Sequence, residues 1–263
     1  MQGRVLVIAG SDSSGGAGIQ ADIRTIAALG GRAATAITAL TAQNTRCVHA
    51  IVGIDPDFVA RQAEAVLQDI GADCIKTGML YSAEIIDAVC DLIEAQAPGL
   101  PWVVDSVLLA TSGAPLLDPP GIGRLVRRVF PHAAVLTPNV PEAERLTGMR
   151  ITTDEHMIDA AKRLLGQGPK AILLKGGHRS GNTISDFLVT DADLQIFQHP
   201  RIETPHLRGT GCTLGSAIAT GLAQGMTIGS AVARATEYVL YRLRFGNSDD
   251  IKLALRAEHE PVR

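Results

Sequence analysis

Apolar runs of strand length recur along this 263-residue chain, separated by stretches of helical periodicity. The first is "RVLVIA" at 4–9. "AATAITALT" at 33–41, "DCIKTG" at 73–78, "WVVD" at 102–105, "AVLT" at 134–137 and "AILLK" at 171–175 follow. Helical patterns lie near 17–29, 55–71, 82–96, 120–130, 141–147 and 153–166. Within 55–71, Val59, Ala63, Val66, Leu67 and Ile70 form one apolar stripe, and Asp55 with Pro56 supplies an N-cap and first turn. A strand apolar at nearly every residue needs cover on both faces, and strands joined by helices run parallel. The pattern predicts an α/β fold with a central, mostly parallel sheet flanked by helices on both faces. Beyond 175 the pattern changes. "TISDFLVT" and "LQIFQH" flank "DAD" and predict an antiparallel hairpin. Two helices near 211–224 and 227–245 follow, and the charged tail "DDIKLALRAEHEPVR" is expected to fray.

The chain is 46% apolar and 19% charged, enough for one sizeable core. With no internal repeat and no linker-like segment, residues 1–263 read as a single domain. A net charge of −3 and the lack of a basic run with interleaved aromatics argue against a nucleic-acid partner. No apolar run approaches the ~20 residues of a membrane span, and no signal-peptide pattern opens the chain. Cys47, Cys74, Cys90 and Cys212 are widely spaced without a CxxC pair. That spacing predicts reduced thiols in a cytoplasmic protein rather than zinc or a disulfide framework.

In an open α/β sheet, ligands bind outside the carboxyl ends of the strands. The segment "GSDSSGGAGIQAD" (10–22) occupies such a place and holds four glycines, from Gly10 to Gly18. Its "GAGIQA" matches a loose dinucleotide pattern, but residues 33–54 contain no Asp or Glu to hold a ribose. No Lys-Ser/Thr follows the glycines, so the Walker pattern is absent too. What remains is a loop, starting at Gly10, whose backbone can approach a ligand closely; a tight turn is the competing reading.

Other strand ends carry further candidates. Gln43 presents a donor and an acceptor on one planar amide, which suits an aminated heteroaromatic edge. Asp22 could accept from a ligand hydroxyl or amine, or be a first-turn carboxylate favoured by the helix dipole. Met79 could lie against a flat ring or simply fill the core. In "TPNVPEAE", Asn139 and Glu142 could face magnesium and phosphates, or cap the helix that begins there. Lys175 in "KGGH" could neutralise phosphate charge or merely reach solvent. Asp105 allows a metal or phosphate contact as well as a strand-end hydrogen bond.

"RGTGCTLGSA" (208–217) carries the sharpest signal. Consecutive backbone N–H groups at Gly209, Thr210, Gly211 and Cys212 would form a site for phosphate or a developing oxyanion. A thiol at a helix N-terminus is expected to have a lowered pKa, which would set a base beside an attacking hydroxyl. Phosphoryl transfer needs little more than charge neutralisation, in-line geometry and orientation of the nucleophile's proton.

Together, "AGSDSSGGAGIQADI", "ITALTAQNT", "IKTGML", "LTPNVPEAE", "LLKGGH" and "GTGCTLGSAIA" resemble the hydroxymethylpyrimidine/phosphomethylpyrimidine kinases of the ribokinase-like superfamily. The resemblance runs from about residue 5 to about residue 225. It implies one ribokinase-like domain, commonly a homodimer, that uses ATP and Mg2+. The reaction would phosphorylate 4-amino-5-hydroxymethyl-2-methylpyrimidine and then its monophosphate. It further implies that Gly10, Asp22, Gln43 and Met79 line the pyrimidine pocket. Gly209 to Cys212 would form the anion hole, with Cys212 where many superfamily members carry an aspartate base. Asn139 and Glu142 match the superfamily's N-x-x-E element, Glu142 toward the metal, while Lys175 and Asp105 would lie at the nucleotide phosphates. One stretch departs. Where the family reads "VDPVMVAKSG", this chain has "VDSVLLATSG" (104–113), so Ser106 replaces a proline and Thr111 a flap lysine, while Ser112 and Gly113 match.

A pyridoxal or pyridoxine kinase is the rival on the same scaffold, since both substrates are substituted heteroaromatic rings bearing a hydroxymethyl group. A non-catalytic pyrimidine-binding protein is the rival from another class. Cys212, Asn139, Glu142 and the anion hole together count against it.

Overall fold

The computed structural model describes residues 2–110, 113–204 and 208–246. Thr111, Ser112 and the charged tail of the sequence reading lie outside the described residues.

Among the described residues, nine strands form one sheet. They are β1 (Arg4–Asp12), β2 (Arg32–Gln43), β3 (Val48–Gly53), β4 (Cys74–Thr77), β5 (Trp102–Val104), β6 (Ala133–Leu136), β7 (Ala171–Leu174), β8 (Thr183–Thr190) and β9 (Leu194–Pro200). Their spatial order is β3-β2-β1-β4-β5-β6-β7-β8-β9. The six central strands, β2, β1, β4, β5, β6 and β7 in spatial order, pair in parallel. The outer pairs β2–β3, β7–β8 and β8–β9 are antiparallel. The expected hairpin after residue 175 is therefore β8–β9. β3 was not anticipated: "VHAIVG" runs along the sheet edge with exposed His49, Ala50 and Val52, and carries no continuous apolar signal.

Among the described residues, eight α-helices flank the sheet: α1 (Gly18–Ala28), α2 (Pro56–Asp69), α3 (Ala83–Gln96), α4 (Pro119–Arg124), α5 (Val140–Thr147), α6 (Asp154–Leu165), α7 (Thr210–Ala223) and α8 (Ile228–Phe245). α4 runs on through a π turn, Leu125–Val129, into a 3-10 turn, Phe130–His132. β1 shows why both faces need cover. Leu6 and Ile8 join a core with residues of α2, α3, α5 and α6, whereas Val5, Val7 and Ala9 join a core with residues of α1, α7 and α8. Local chemistry fixes the starts of several helices. Asp55 caps α2 by accepting from Phe58 N–H, ahead of Pro56 in the first turn.

α7 is built of small residues and lies against the sheet, with every residue from Thr213 to Gly221 buried. A Cβ on Gly221 would stand 2.8 Å from the Ala231 Cβ, so glycine lets α7 and α8 approach closely.

The chain reverses its direction of travel across the sheet at the neighbours β1 and β4. From β1 it passes to β2 on one side, and from β4 to β5 on the other. The crevice beyond the carboxyl ends of such a pair is where open α/β sheets bind ligands.

Candidate active site

A cleft of about 950 Å3 opens at that crevice. It reaches from the loop between β2 and β3, past the start of α7, to β8, β9 and one wall of α8.

At the β2 end, Gly10, Gln43 and Met79 line the cleft together. A Cβ on Gly10 would lie 2.9 Å from the Met79 Sδ, so the bare glycine lets the thioether pack flat against β1. The Met79 carbonyl accepts from Thr38 Oγ1 at 2.6 Å. Gln43 is fixed through its backbone: Ser13 Oγ donates to its carbonyl and its N–H donates to Ser13 Oγ, both at 2.9 Å. Asp12 shapes the glycine loop by accepting from Ser14 N–H at 2.8 Å, Ser14 Oγ–H at 2.7 Å and Ala17 N–H at 2.7 Å.

Gly209, Thr210, Gly211 and Cys212 border the middle of the cleft. Gly209 takes φ 72°, and a Cβ there would fall 2.1 Å from the Gly16 carbonyl oxygen. The glycine loop and the start of α7 are thereby locked backbone to backbone. α7 has no side-chain N-cap, and its first intrahelical donor is Thr213 N–H to the Gly209 carbonyl at 2.8 Å. The amides of residues 210–212 therefore come before the first helical hydrogen bond, an arrangement that favours an anion.

Charged groups underlie this turn. Asp105 and Lys175 line the cleft, with the Lys175 ammonium 3.4 Å from Asp105 Oδ1. A Cβ on Gly211 would stand 3.4 Å from Lys175 Nζ and 3.7 Å from Asp105 Oδ2, so α7 meets this pair with a bare face. Thr137 Oγ1 donates to Asp105 Oδ1 at 3.4 Å. Burial works to lower the Lys175 ammonium, but Asp105 and Glu142 outweigh it and hold it above the usual lysine range.

Two expectations need correction. Asp22 does not line the cleft. It is fully buried, accepting from Lys76 Nζ at 3.0 and 3.1 Å and from Ser216 Oγ–H at 2.7 Å. Lys76, not Asp22, is the member of this group that borders the cleft. The Cys212 thiol is not acidified either. Burial pushes it up to about 12, with Lys76 pulling down and Asp22 and Asp105 pushing up. The helix N-terminus is outweighed by desolvation in a crowded interior.

Asn139 and Glu142 meet the capping reading made for them. They form a capping box: Asn139 N–H donates to Glu142 Oε2 at 2.8 Å, and Glu142 N–H donates to Asn139 Oδ1 at 2.9 Å. Both also border the cleft. Burial pushes the Glu142 carboxyl up to about 7, while Lys175 draws it down and Asp105 pushes it up. Among the described residues, no three His, Cys, Asp or Glu side chains converge as a metal cage. Asp105 and Glu142 instead present two carboxylates to one cleft. That donor set suits a hydrated divalent cation shared with phosphates, which takes one or two protein oxygens.

The sequence reading did not single out Lys76, or the far end of the cleft. There Asp186 accepts from Gly176 N–H at 2.7 Å and lies 3.8 Å from His199 Nε2. Val239, Leu240 and Leu243 of α8 add an apolar wall. A lysine within the short strand segment "DCIKTG" was the available signal for Lys76.

Comparison with known proteins places this geometry. A family model described as phosphomethylpyrimidine kinase matches residues 12–263. A bifunctional thiamine biosynthesis protein of Geobacter sulfurreducens is 48% identical over 92% of this chain, which spans 49% of that protein. The hydroxymethylpyrimidine/phosphomethylpyrimidine kinase of Escherichia coli is 44% identical over 81% of this chain and 80% of its own length. The structure of the pyridoxal kinase from Staphylococcus aureus in complex with AMP-PCP and pyridoxal superposes with a TM-score of 0.84 at 30% identity, over 93% of this chain and 88% of that one. Among the described residues, no helix is long and apolar enough to cross a membrane.

Proposed function

The chain belongs to the phosphomethylpyrimidine kinase family, and from that membership we infer that it phosphorylates 4-amino-5-hydroxymethyl-2-methylpyrimidine with ATP, and then the resulting monophosphate, in thiamine biosynthesis. The observation that carries this reading is the placement of Gly10, Gln43 and Met79 in the same cleft as the uncapped start of α7.

In the mechanism we propose, Met79 and the bare Gly10 backbone hold the pyrimidine face. The Gln43 amide pairs with the 4-amino group and ring N3. The hydroxymethyl oxygen attacks the γ-phosphorus of ATP, the bond to the β–γ bridging oxygen breaks, ADP leaves, and the hydroxyl proton passes late to an oxygen of the transferred phosphoryl group. The amides of Gly209 to Cys212 stabilise the equatorial oxygens during transfer. Cys212 starts as a thiol, so it orients the hydroxyl by hydrogen bonding rather than stripping its proton beforehand. A loose phosphoryl transition state asks for little early deprotonation. Lys175 supplies positive charge at the phosphates. Asp105 and Glu142, beside Asn139, would hold magnesium, which would supply positive charge to the ATP phosphates. Asp22 acts from behind by holding Lys76.

A cytosolic homodimer fits the reading. The four cysteines are free thiols, as a reducing compartment requires. Pyridoxal kinase is the second reading, supported by the likeness to the Staphylococcus aureus enzyme. The Gln43 amide, matched to an aminopyrimidine edge, favours the first. Substrate-dependent ADP release with Mg-ATP tests the assignment. Turnover of hydroxymethylpyrimidine supports it, and silence on folded protein that still binds the pyrimidine favours a binding module.

A further inference from the structure

Arg208 is a cation that the first phosphorylation leaves without a task. It directly precedes the Gly209 turn and borders the cleft. Its guanidinium donates to the Asn44 carbonyl, to Gln43 Oε1 at 3.4 Å and to Asp12 Oδ2 at 3.5 Å. The Asp12 contact is long, because that carboxylate already accepts three closer hydrogen bonds from the glycine loop. Two other cations of the cleft are tightly committed, while Arg46 and Lys175 border it as well. Lys76 lies 3.0 Å from Asp22, and Arg201 donates to the carbonyls of Gly177, Arg179 and Gly181. Arg208 keeps 28% of its side chain exposed, beside the amide that reads the ring.

The second phosphorylation poses an electrostatic problem that the first does not. Both reactants, ATP and the pyrimidine monophosphate, are then anions, and they must meet within one cleft. The substrate geometry says where the extra charge arrives. The hydroxymethyl carbon is ortho to the 4-amino group, so a phosphate carried on it falls beside the Gln43 amide that holds that group. A guanidinium already bound to Gln43 Oε1 is within a side chain's reach of it, and its planar fork suits phosphate oxygens.

We propose that Arg208 recognises the phosphate of the pyrimidine monophosphate and thereby sets the enzyme's preference for the second phosphorylation over the first. This rests on the functional reading above. In that step a phosphate oxygen of the monophosphate attacks the γ-phosphorus, the bond to the β–γ bridging oxygen breaks, and ADP leaves. A dianionic acceptor has no proton to lose, so neutralising its charge replaces orienting a hydroxyl as the main task.

The test compares the native enzyme with Arg208→Gln and Arg208→Lys. Gln retains hydrogen-bond donors toward Asn44 and Gln43 but no charge; Lys retains the charge. Steady-state kinetics at saturating Mg-ATP would use hydroxymethylpyrimidine and its monophosphate in parallel, with calorimetric binding of both compounds in the absence of nucleotide. For Arg208→Gln, kcat/KM on the monophosphate should fall about 10- to 100-fold, mainly through KM, with a several-fold smaller loss on hydroxymethylpyrimidine. Monophosphate binding should weaken in parallel, and Arg208→Lys should recover part of it. An equal loss on both substrates would make Arg208 a brace for Gln43 and overturn the proposal, as would no loss at all. A native enzyme that turns over hydroxymethylpyrimidine but not the monophosphate would also overturn it, leaving the kinase assignment standing. Turnover of neither pyrimidine would sink the assignment itself, and this proposal with it.

Discussion

The Lys76 ammonium lies 3.0 Å from the Asp22 carboxylate, and both side chains are fully buried. The pair ties β4 to α1, and Ser216 brings α7 into the same group through Asp22. Ser216 follows Cys212 by one helical turn, so the two share a face of α7. The charges thus sit beneath the thiol that borders the cleft. Burial opposes the Lys76 charge, but Asp22 and Asp105 outweigh it and hold the ammonium above the usual lysine range.

Removing one partner would strand a buried charge. Lys76→Met and Asp22→Asn should each destabilise the fold by about 3–5 kcal/mol. The double variant should lose less than the sum of the two. Thermal unfolding of the three variants checks this, and additive losses would show that the groups do not act as a pair.

Cys212 should resist alkylation at neutral pH, because burial raises the thiol to about 12. Its labelling rate should climb about tenfold per pH unit above neutrality, while exposed Cys47 is labelled first. Peptide mass spectrometry of iodoacetamide-treated protein separates the two. Cys212→Ala should lower turnover by about 10²-fold if the thiol orients the hydroxyl; an unchanged rate would remove it from the mechanism.

The two turn glycines should fail differently. Gly209→Ala combines a positive φ of 72° with a Cβ 2.1 Å from the Gly16 carbonyl oxygen, so it should cost both stability and activity. Gly211→Ala places a methyl 3.4 Å from Lys175 Nζ and should leave folding nearly intact. It should instead raise the KM for ATP about tenfold by displacing the ammonium. Unfolding and ATP saturation curves for both variants make the comparison.

A small pH effect should come from the far end of the cleft. The Asp186 carboxylate, 3.8 Å away, raises the His199 pKa above its ordinary value of 6.5. A group raised in the folded state stabilises fully below its unfolded pKa, and that contribution fades as pH rises through the folded value. Stability should therefore fall by under about 1 kcal/mol from pH 6 to pH 8 on account of this pair. Denaturant unfolding of His199→Gln should lack that component. An unchanged slope would show that the pair is uncoupled.

The sheet's architecture was legible because it rests on local patterns. Runs such as 4–9 and 171–175 are apolar throughout, and Asp55-Pro56 caps α2 as its chemistry requires. β3 escaped because an edge strand with exposed residues has no such run. The cleft was readable at its loops, where Gly10, Gln43 and Gly209 stand beside strand or helix ends. The Asp22–Lys76 pair was not, since its members are 54 positions apart and only the fold brings them together. The thiol misled for a related reason. Its position at a helix start is written in the sequence, whereas the burial that outweighs that position belongs to packing by α1 and the sheet.

The most direct test of the account is the ratio of kcat/KM for hydroxymethylpyrimidine to that for pyridoxal, measured with Mg-ATP on one preparation. The account predicts a ratio well above one, with a sharp fall in hydroxymethylpyrimidine turnover for Gln43→Leu. A ratio well below one, indifferent to Gln43, would contradict it and move the enzyme to the vitamin B6 branch of the fold.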